Sequence, residues 1–306
     1  MNLWKKFFSI FTLAMILLMQ LGCTRNKAPL GSAENPIKFF LVPSVDAKLL
    51  EDAGKTLKSV LEEKTPYKYK FAIPSSFVAV VEAFGTQRAD VAAINTFGYI
   101  MANEKYGVQA RITFVRYGSE SYQSQILARS DSQIKSLKDL AGKKFAYVDP
   151  ASTSGYLMPA KLLMDQKIKP VETVFAQKHD NVITMIYQKQ VDAGATFYSP
   201  PEDGKMQDAR RLVKTQFPDV EQKIKILTLT DPIPNDPIVF RKEMSEEMKK
   251  NIVQALMDYQ KTEEGKKTFY SIYGVTGMVA SSDERYDSVR EMLKSLGKTA
   301  AELSKK

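Results

Sequence analysis

The stretch best equipped for chemistry is Phe145-Ala146-Tyr147-Val148-Asp149-Pro150-Ala151-Ser152-Thr153-Ser154-Gly155-Tyr156-Leu157-Met158-Pro159. An apolar, strand-like run gives way there to three consecutive hydroxyl residues and a glycine, and a helical pattern follows. The first N–H groups of a helix have no intrahelical partner, and the aligned peptide dipoles place roughly half a positive charge beside them. Ser152, Thr153 and Ser154 add uncharged donors at that point, while Gly155 lets a ligand approach the backbone closely. Such a set can hold an oxyanion and later release it. In isolation, the same residues would serve equally well as an N-cap and a turn.

His179 is the only histidine and Cys23 the only cysteine. A His-rich metal site is therefore excluded, and a His–Cys pair is too once Cys23 is taken up by the export signal described below. With no HExxH or GxSxG motif either, nothing supplies a nucleophile together with its base, so neither catalysis nor a cofactor or metal is expected. His179 precedes the apolar helical pattern Val182–Tyr187, which places a neutral imidazole at a helix N-terminus with one hydrogen bond to give. Asp236, in Pro234-Asn235-Asp236-Pro237, is either turn chemistry or an acceptor for a protonated ligand oxygen or an amino group. Ser44, in Pro43-Ser44-Val45-Asp46, and Asn95-Thr96 each follow a strand-like run, where open α/β sheets bind ligands.

The elements that must position these residues alternate between strand and helix periodicity. Strands are expected at Ile37–Val42, Tyr67–Ile73, Val91–Ile94, Ile112–Arg116, Gln125–Ala128, Lys144–Val148, Val171–Phe175, Ala193–Thr196, Ile224–Thr230 and Ile238–Phe240. Helices are expected at Ala47–Glu63, Phe77–Thr86, Phe97–Tyr106, Tyr156–Gln166, Val182–Gln190, Ser245–Lys261, Gly265–Tyr273 and Ser282–Leu296. This alternation implies an α/β fold with mostly parallel sheets flanked by helices. The run suits two lobes with a ligand cleft between them. Lobe 1 is expected over 37–128 plus 235–306 and lobe 2 over 129–234, with crossings near Arg129 and Ile233.

The N-terminus reads as an export signal over residues 1–22: Lys5 and Lys6 precede an apolar run, Phe7–Met19, too short to span a bilayer. Leu21-Gly22-Cys23 is similar to the lipobox of bacterial lipoproteins, although Gln20 stands where such boxes usually carry leucine. That likeness implies cleavage before Cys23 and its lipidation, with residues 23–36 as a tether of Asn, Lys, Pro, Gly and Ser to the membrane. A mature chain whose one cysteine is lipidated has neither disulfides nor a free thiol for chemistry. The net charge is +9, of which Lys5 and Lys6 supply two, leaving +7 after cleavage. Lysines interspersed with glutamates, as in Ser245–Lys261, and the lack of a dense arginine–aromatic run speak for a solvated basic surface and against nucleic acid.

Residues Asp149–Pro159, with Leu137-Lys138-Asp139-Leu140-Ala141-Gly142-Lys143-Lys144 before them, resemble the phosphonate-binding family, receptors for phosphonate, phosphite and phosphate ABC importers. The likeness continues through Ala89-Asp90-Val91-Ala92, Lys178-His179-Asp180-Asn181-Val182, Val191-Asp192-Ala193-Gly194-Ala195-Thr196 and Ile233-Pro234-Asn235-Asp236-Pro237-Ile238. It covers nearly all of the chain from Ile37 on. It implies a type II periplasmic-binding-protein fold, ligand donors at Ser152, Thr153 and Ser154, and ligand contact at His179. The chain departs from some of these relatives at Ile94, where they carry an aromatic residue, which leaves Tyr122 or Tyr198 to wall the subsite for the ligand's substituent.

The resemblance implies a non-catalytic, monomeric receptor that closes on a small phosphorus oxyanion and presents it to a permease and its ATPase. Two other classes remain at this point: an enzyme of the pyrimidine-synthesis kind built on the same lobes, and an anion-sensing lipoprotein that serves no permease.

Overall fold

The computed structural model describes residues 28–295; the expected signal segment and the Cys23 lipidation site lie outside the described residues. The chain joins the fold earlier than the tether expectation allowed. Asn35 Nδ2 donates to the Ala28 carbonyl (2.8 Å), and the Lys68 amide donates to the Gly31 carbonyl (2.7 Å), pinning a turn against the sheet edge. Residues 28–36 are thus anchored by backbone hydrogen bonds that their tether-like composition hides.

One six-stranded sheet contains β1 (Ile37–Leu41), β2 (Tyr69–Ala72), β3 (Val91–Ala93), β4 (Gln109–Val115), β11 (Pro237–Phe240) and β12 (Gly277–Ala280), in the order β12-β4-β11-β3-β1-β2. The other contains β5 (Ser121–Arg129), β6 (Lys144–Tyr147), β7 (Glu172–Phe175), β8 (Ala193–Tyr198), β9 (Ile224–Leu229) and β10 (Ile233–Pro234), in the order β10-β5-β8-β6-β7, with β9 also paired to β5. The α/β class stands, but both sheets are mixed where mostly parallel ones were expected. β1 runs parallel to β2 and β3, and β6 to β7 and β8, whereas every ladder made by β4, β5 and β11 is antiparallel.

Strand β5 also corrects the lobe boundary. The expected boundary after residue 128 puts Gln125–Ala128 in the first lobe, yet they pair with Ala193–Thr196 in the second sheet. The chain crosses between sheets at Arg116–Glu120, where Tyr117 (φ 52°) and Gly118 (φ 72°) turn it, and it returns at Asn235–Asp236. Local hydrophobicity identifies a strand but is silent on which sheet it joins.

The helices that flank the sheets are α1 (Ala47–Lys64), α2 (Phe77–Gly85), α3 (Thr96–Tyr106), α4 (Met158–Asp165), α5 (His179–Tyr187), α6 (Glu246–Lys261), α7 (Glu263–Tyr273) and α8 (Asp287–Ser295). Helix α1 shows the local logic. The Asp46 carboxylate accepts from the Lys48 and Leu49 amides as N-cap, and Leu50, Ala53, Leu57 and Leu61 fall on one buried stripe. That stripe packs on the face of β1 carrying Ile37, Phe39 and Leu41, each fully buried side chain contributing on the order of 1.5–3 kcal/mol. On the opposite face, a core of Phe97, Tyr99, Val148, Val182 and Ile183 draws on both sheets and joins them. None of the helices among the described residues is long and apolar enough to cross a membrane.

Candidate functional site

The hydroxyl run stands where β6 gives way to helix. The turn is a wide, π-type one over Thr153–Leu157 that leads into α4, so the helix begins ahead of the expected Tyr156. Such widened turns recur at functional sites because they re-aim backbone groups. Ser152 is the N-cap, its Oγ accepting from the Gly155 amide at 3.0 Å, which leaves its hydroxyl proton to donate. No hydrogen bond ties the Thr153 or Ser154 amide to another described residue. Gly155 is required sterically, since a Cβ there would stand 2.3 Å from a Val148 methyl.

From the first sheet, α3 points its N-terminus at this turn. Thr153 Oγ1 accepts from the Phe97 amide (2.8 Å) and from Asn95 Nδ2 (2.9 Å), so a side chain of one lobe caps a helix of the other. Asn95 Nδ2 also reaches the Ala151 carbonyl (2.8 Å), while its Oδ1 is buried without a partner. A fourth bond across the cleft runs from the Phe77 amide to Asp149 Oδ2 at 3.3 Å. Burial raises the Asp149 carboxyl above its usual range, against the pull of the Ala151 and Phe77 amides.

At the floor, Arg116 holds both crossings. Its Nη2 donates to Asp236 Oδ2 (2.7 Å), Nη1 to Asn235 Oδ1 (3.2 Å) and Nε to the Tyr273 carbonyl (2.8 Å). The Asp236 Oδ1 accepts from the Thr96 amide at 3.3 Å. Asp236, expected either as a turn residue or as an acceptor for a ligand proton or amine, is thus engaged by an internal cation through Oδ2 while its side chain lines the cavity.

His179 opens α5, three residues before the expected start, with 5% of its surface exposed and its ring edge-to-face with Phe197 at 5.0 Å. Burial, and then the Arg116 charge, lower its pKa from 6.5 to about 3, so the imidazole is neutral. Its Nδ1 is buried and unpartnered. Tyr122 lies under the Arg116 guanidinium at 5.4 Å, and burial drives its phenol well above the ordinary range.

These groups enclose a cavity of about 50 Å³. Ser152, Thr153, Ser154 and His179 line it from the second sheet's side, and Ser44, Asn95, Tyr122 and Asp236 also reach it. Two expected residues do not. Thr96 directs its hydroxyl to the Pro234 carbonyl (2.6 Å), and Tyr198 lies beyond the lining. Its neighbour Phe197 takes that place, because successive strand side chains face opposite ways. Of the two candidate aromatic walls, Tyr122 is the one present. Arg116, Tyr117, Arg211 and Tyr273 also line the cavity and are not among the residues expected there from the sequence. The one sequence signal for them was a charged residue, Arg116, closing an apolar strand just before a Tyr-Gly turn.

The chain matches the family model described as ABC transporter, phosphonate, periplasmic substrate-binding protein over residues 39–286. It is 29% identical to the phosphate-import protein of Mycolicibacterium smegmatis over 60% of this chain and 63% of that one. It is 25% identical to the phosphonates-binding periplasmic protein of Escherichia coli, over 92% of this chain and 83% of that protein. Among solved structures, a binding-protein component of an ABC phosphonate transporter from Pseudomonas aeruginosa superposes with TM-score 0.74 at 20% identity, covering 86% of this chain and 85% of that one. A Prochlorococcus marinus protein in complex with methylphosphonate gives 0.73 at 16% identity, over 86% and 98%. With the family model spanning most of its length, this chain belongs to the periplasmic phosphonate substrate-binding proteins of ABC transporters.

Proposed function

We propose that the protein is the capture component of an ABC importer for a small phosphorus oxyanion, a phosphonate, phosphite or phosphate, which the two lobes enclose. The observation that carries this reading is that Ser152, Thr153 and Ser154, the last two with amides unpartnered among the described residues, line one cavity together with a neutral, buried His179. All are donors without net charge, the pattern for binding a tetrahedral anion reversibly. The buried Asn95 Oδ1 supplies an acceptor for the proton of a singly ionised ligand.

In this reading the bonds from Asn95, Phe97 and Phe77 to the second lobe are the closed state's fastening. Rotation about the crossings at Arg116–Glu120 and Asn235–Asp236 opens the cleft. Export to the periplasmic side, a lipid anchor at Cys23, a permease with its ATPase as partners, a monomeric state and the lack of catalysis all belong to the same proposal.

Calorimetric titration with phosphate, phosphite, methylphosphonate and 2-aminoethylphosphonate tests it. Saturable one-to-one binding of at least one of them, weakened in the Ser154→Ala variant, is the expected result. No heat from any of the four with a folded protein would overturn the reading.

A further inference from the structure

The adjacent arginines on the short helical turn Ala209–Val213 have opposite fates. Arg210 is fully committed: Nε and Nη2 donate to Asp208 (3.0 and 2.8 Å) and Nη1 to the Ile224 carbonyl (2.8 Å). Arg211 faces the ligand cavity and meets no carboxylate among the described residues. Its Nε is buried without an acceptor, and its guanidinium is supported only by the Tyr270 ring, 5.7 Å away. Gly274, in a left-handed conformation (φ 65°), leaves room for it, since a Cβ there would stand 3.2 Å from Arg211 Nη2. The Tyr117 hydroxyl, in the same corner of the cavity, is also buried, beside the Tyr270 phenol and with no carboxylate or carbonyl bonded to it among the described residues.

Two orphaned donors on one wall call for an acceptor that the protein does not provide. The charge balance says what kind. Among the described residues Asp236 is the only acid lining the cavity, and Arg116 neutralises it; His179 is neutral, so before the ligand's own charge is counted Arg211 leaves one surplus positive charge. A cationic amine on the ligand would find no free carboxylate and would face this guanidinium.

Resting on the proposed function, we infer that Arg211 and Tyr117 form a second subsite, for an anionic substituent, so that the preferred ligand is a short phosphonate bearing a carboxylate. The hydroxyl run takes the phosphonate group, and the guanidinium takes the carboxylate through charge-assisted hydrogen bonds.

The test uses the whole chain and ligands matched in shape: phosphonoacetate and its uncharged amide phosphonoacetamide, with methylphosphonate and 2-aminoethylphosphonate alongside. The expected result is that phosphonoacetate binds about tenfold or more tighter than the amide, the size of one charged hydrogen bond. In Arg211→Gln that ratio falls toward one. In Tyr117→Phe, which keeps the ring packed against Tyr270, it falls by a smaller factor, about threefold. Equal affinity for acid and amide in the wild type overturns the inference, as does an undiminished ratio in both variants. Equal weakening of phosphonoacetate, the amide and methylphosphonate in Arg211→Gln also overturns it, marking Arg211 as a strut between lobes. Methylphosphonate binding without an acid preference defeats this inference alone, whereas no binding of any phosphonate or phosphate defeats the proposed function with it.

Discussion

The site's donors act singly, and two of them make separable predictions. Ser154→Ala removes a hydroxyl beside a free amide and is expected to weaken oxyanion binding by about 1–3 kcal/mol, read by calorimetry. His179 controls acid stability. With its folded pKa near 3 and an ordinary value of 6.5, the unfolded chain takes up the proton first as pH falls. Its contribution is whole above pH 6.5 and shrinks between 6.5 and 3, by about 2 kcal/mol from pH 7 to pH 5. Urea titrations at several pH values should show that slope, and His179→Gln should lose it. The placement of Ser152–Ser154 at a strand-to-helix turn and of His179 at a helix start was legible in the sequence because such a junction is a local property. Arg116 and Arg211 were not, because an arginine's role depends on which distant carboxylate it meets, Asp236 in one case and none in the other.

At the scale of elements, the two crossings form a hydrogen-bonded ribbon: the Asn235 amide donates to the Glu120 carbonyl and Asn235 Nδ2 to that of Ser119, each at 2.8 Å. The Arg116–Asp236 pair at its centre is mostly buried, with side-chain exposures of 11% and 17%. Arg116→Met strands a buried carboxylate and is expected to lower stability by about 3–5 kcal/mol, visible as an earlier urea midpoint. The double variant Arg116→Met/Asp236→Asn should recover part of that loss. Strands β1–β3 and helices α1–α3 were readable from periodicity, since burial on a single face imprints a regular pattern. The antiparallel ladders were not. Strand β12, four residues between helical stretches, carries no such imprint and is defined by its pairing with β4. The assignment of β5 to the second sheet likewise follows from the Tyr117–Gly118 turn.

For the whole molecule, ligand capture and stability are one equilibrium. A ligand at a hundred times its Kd should raise the unfolding free energy by about 2.7 kcal/mol, measured as a ligand-dependent rise in Tm. A ligand that stabilises no more than an equal concentration of chloride would count against capture. If Cys23 is the anchor, Cys23→Ser should move the protein from the membrane to the soluble fraction of cells, with binding intact.

The position of the Arg116–Asp236 pair has a mechanical corollary. A pivot is the part of a rotating assembly that is displaced least, so the charges mounted on it keep their places whether the clasp gapes or is shut. An arriving solute therefore meets this ion pair in the same place in either posture, while Arg211 travels with the second lobe. What swings away from the pair is the wall of hydroxyls, and departure requires only that this wall recede.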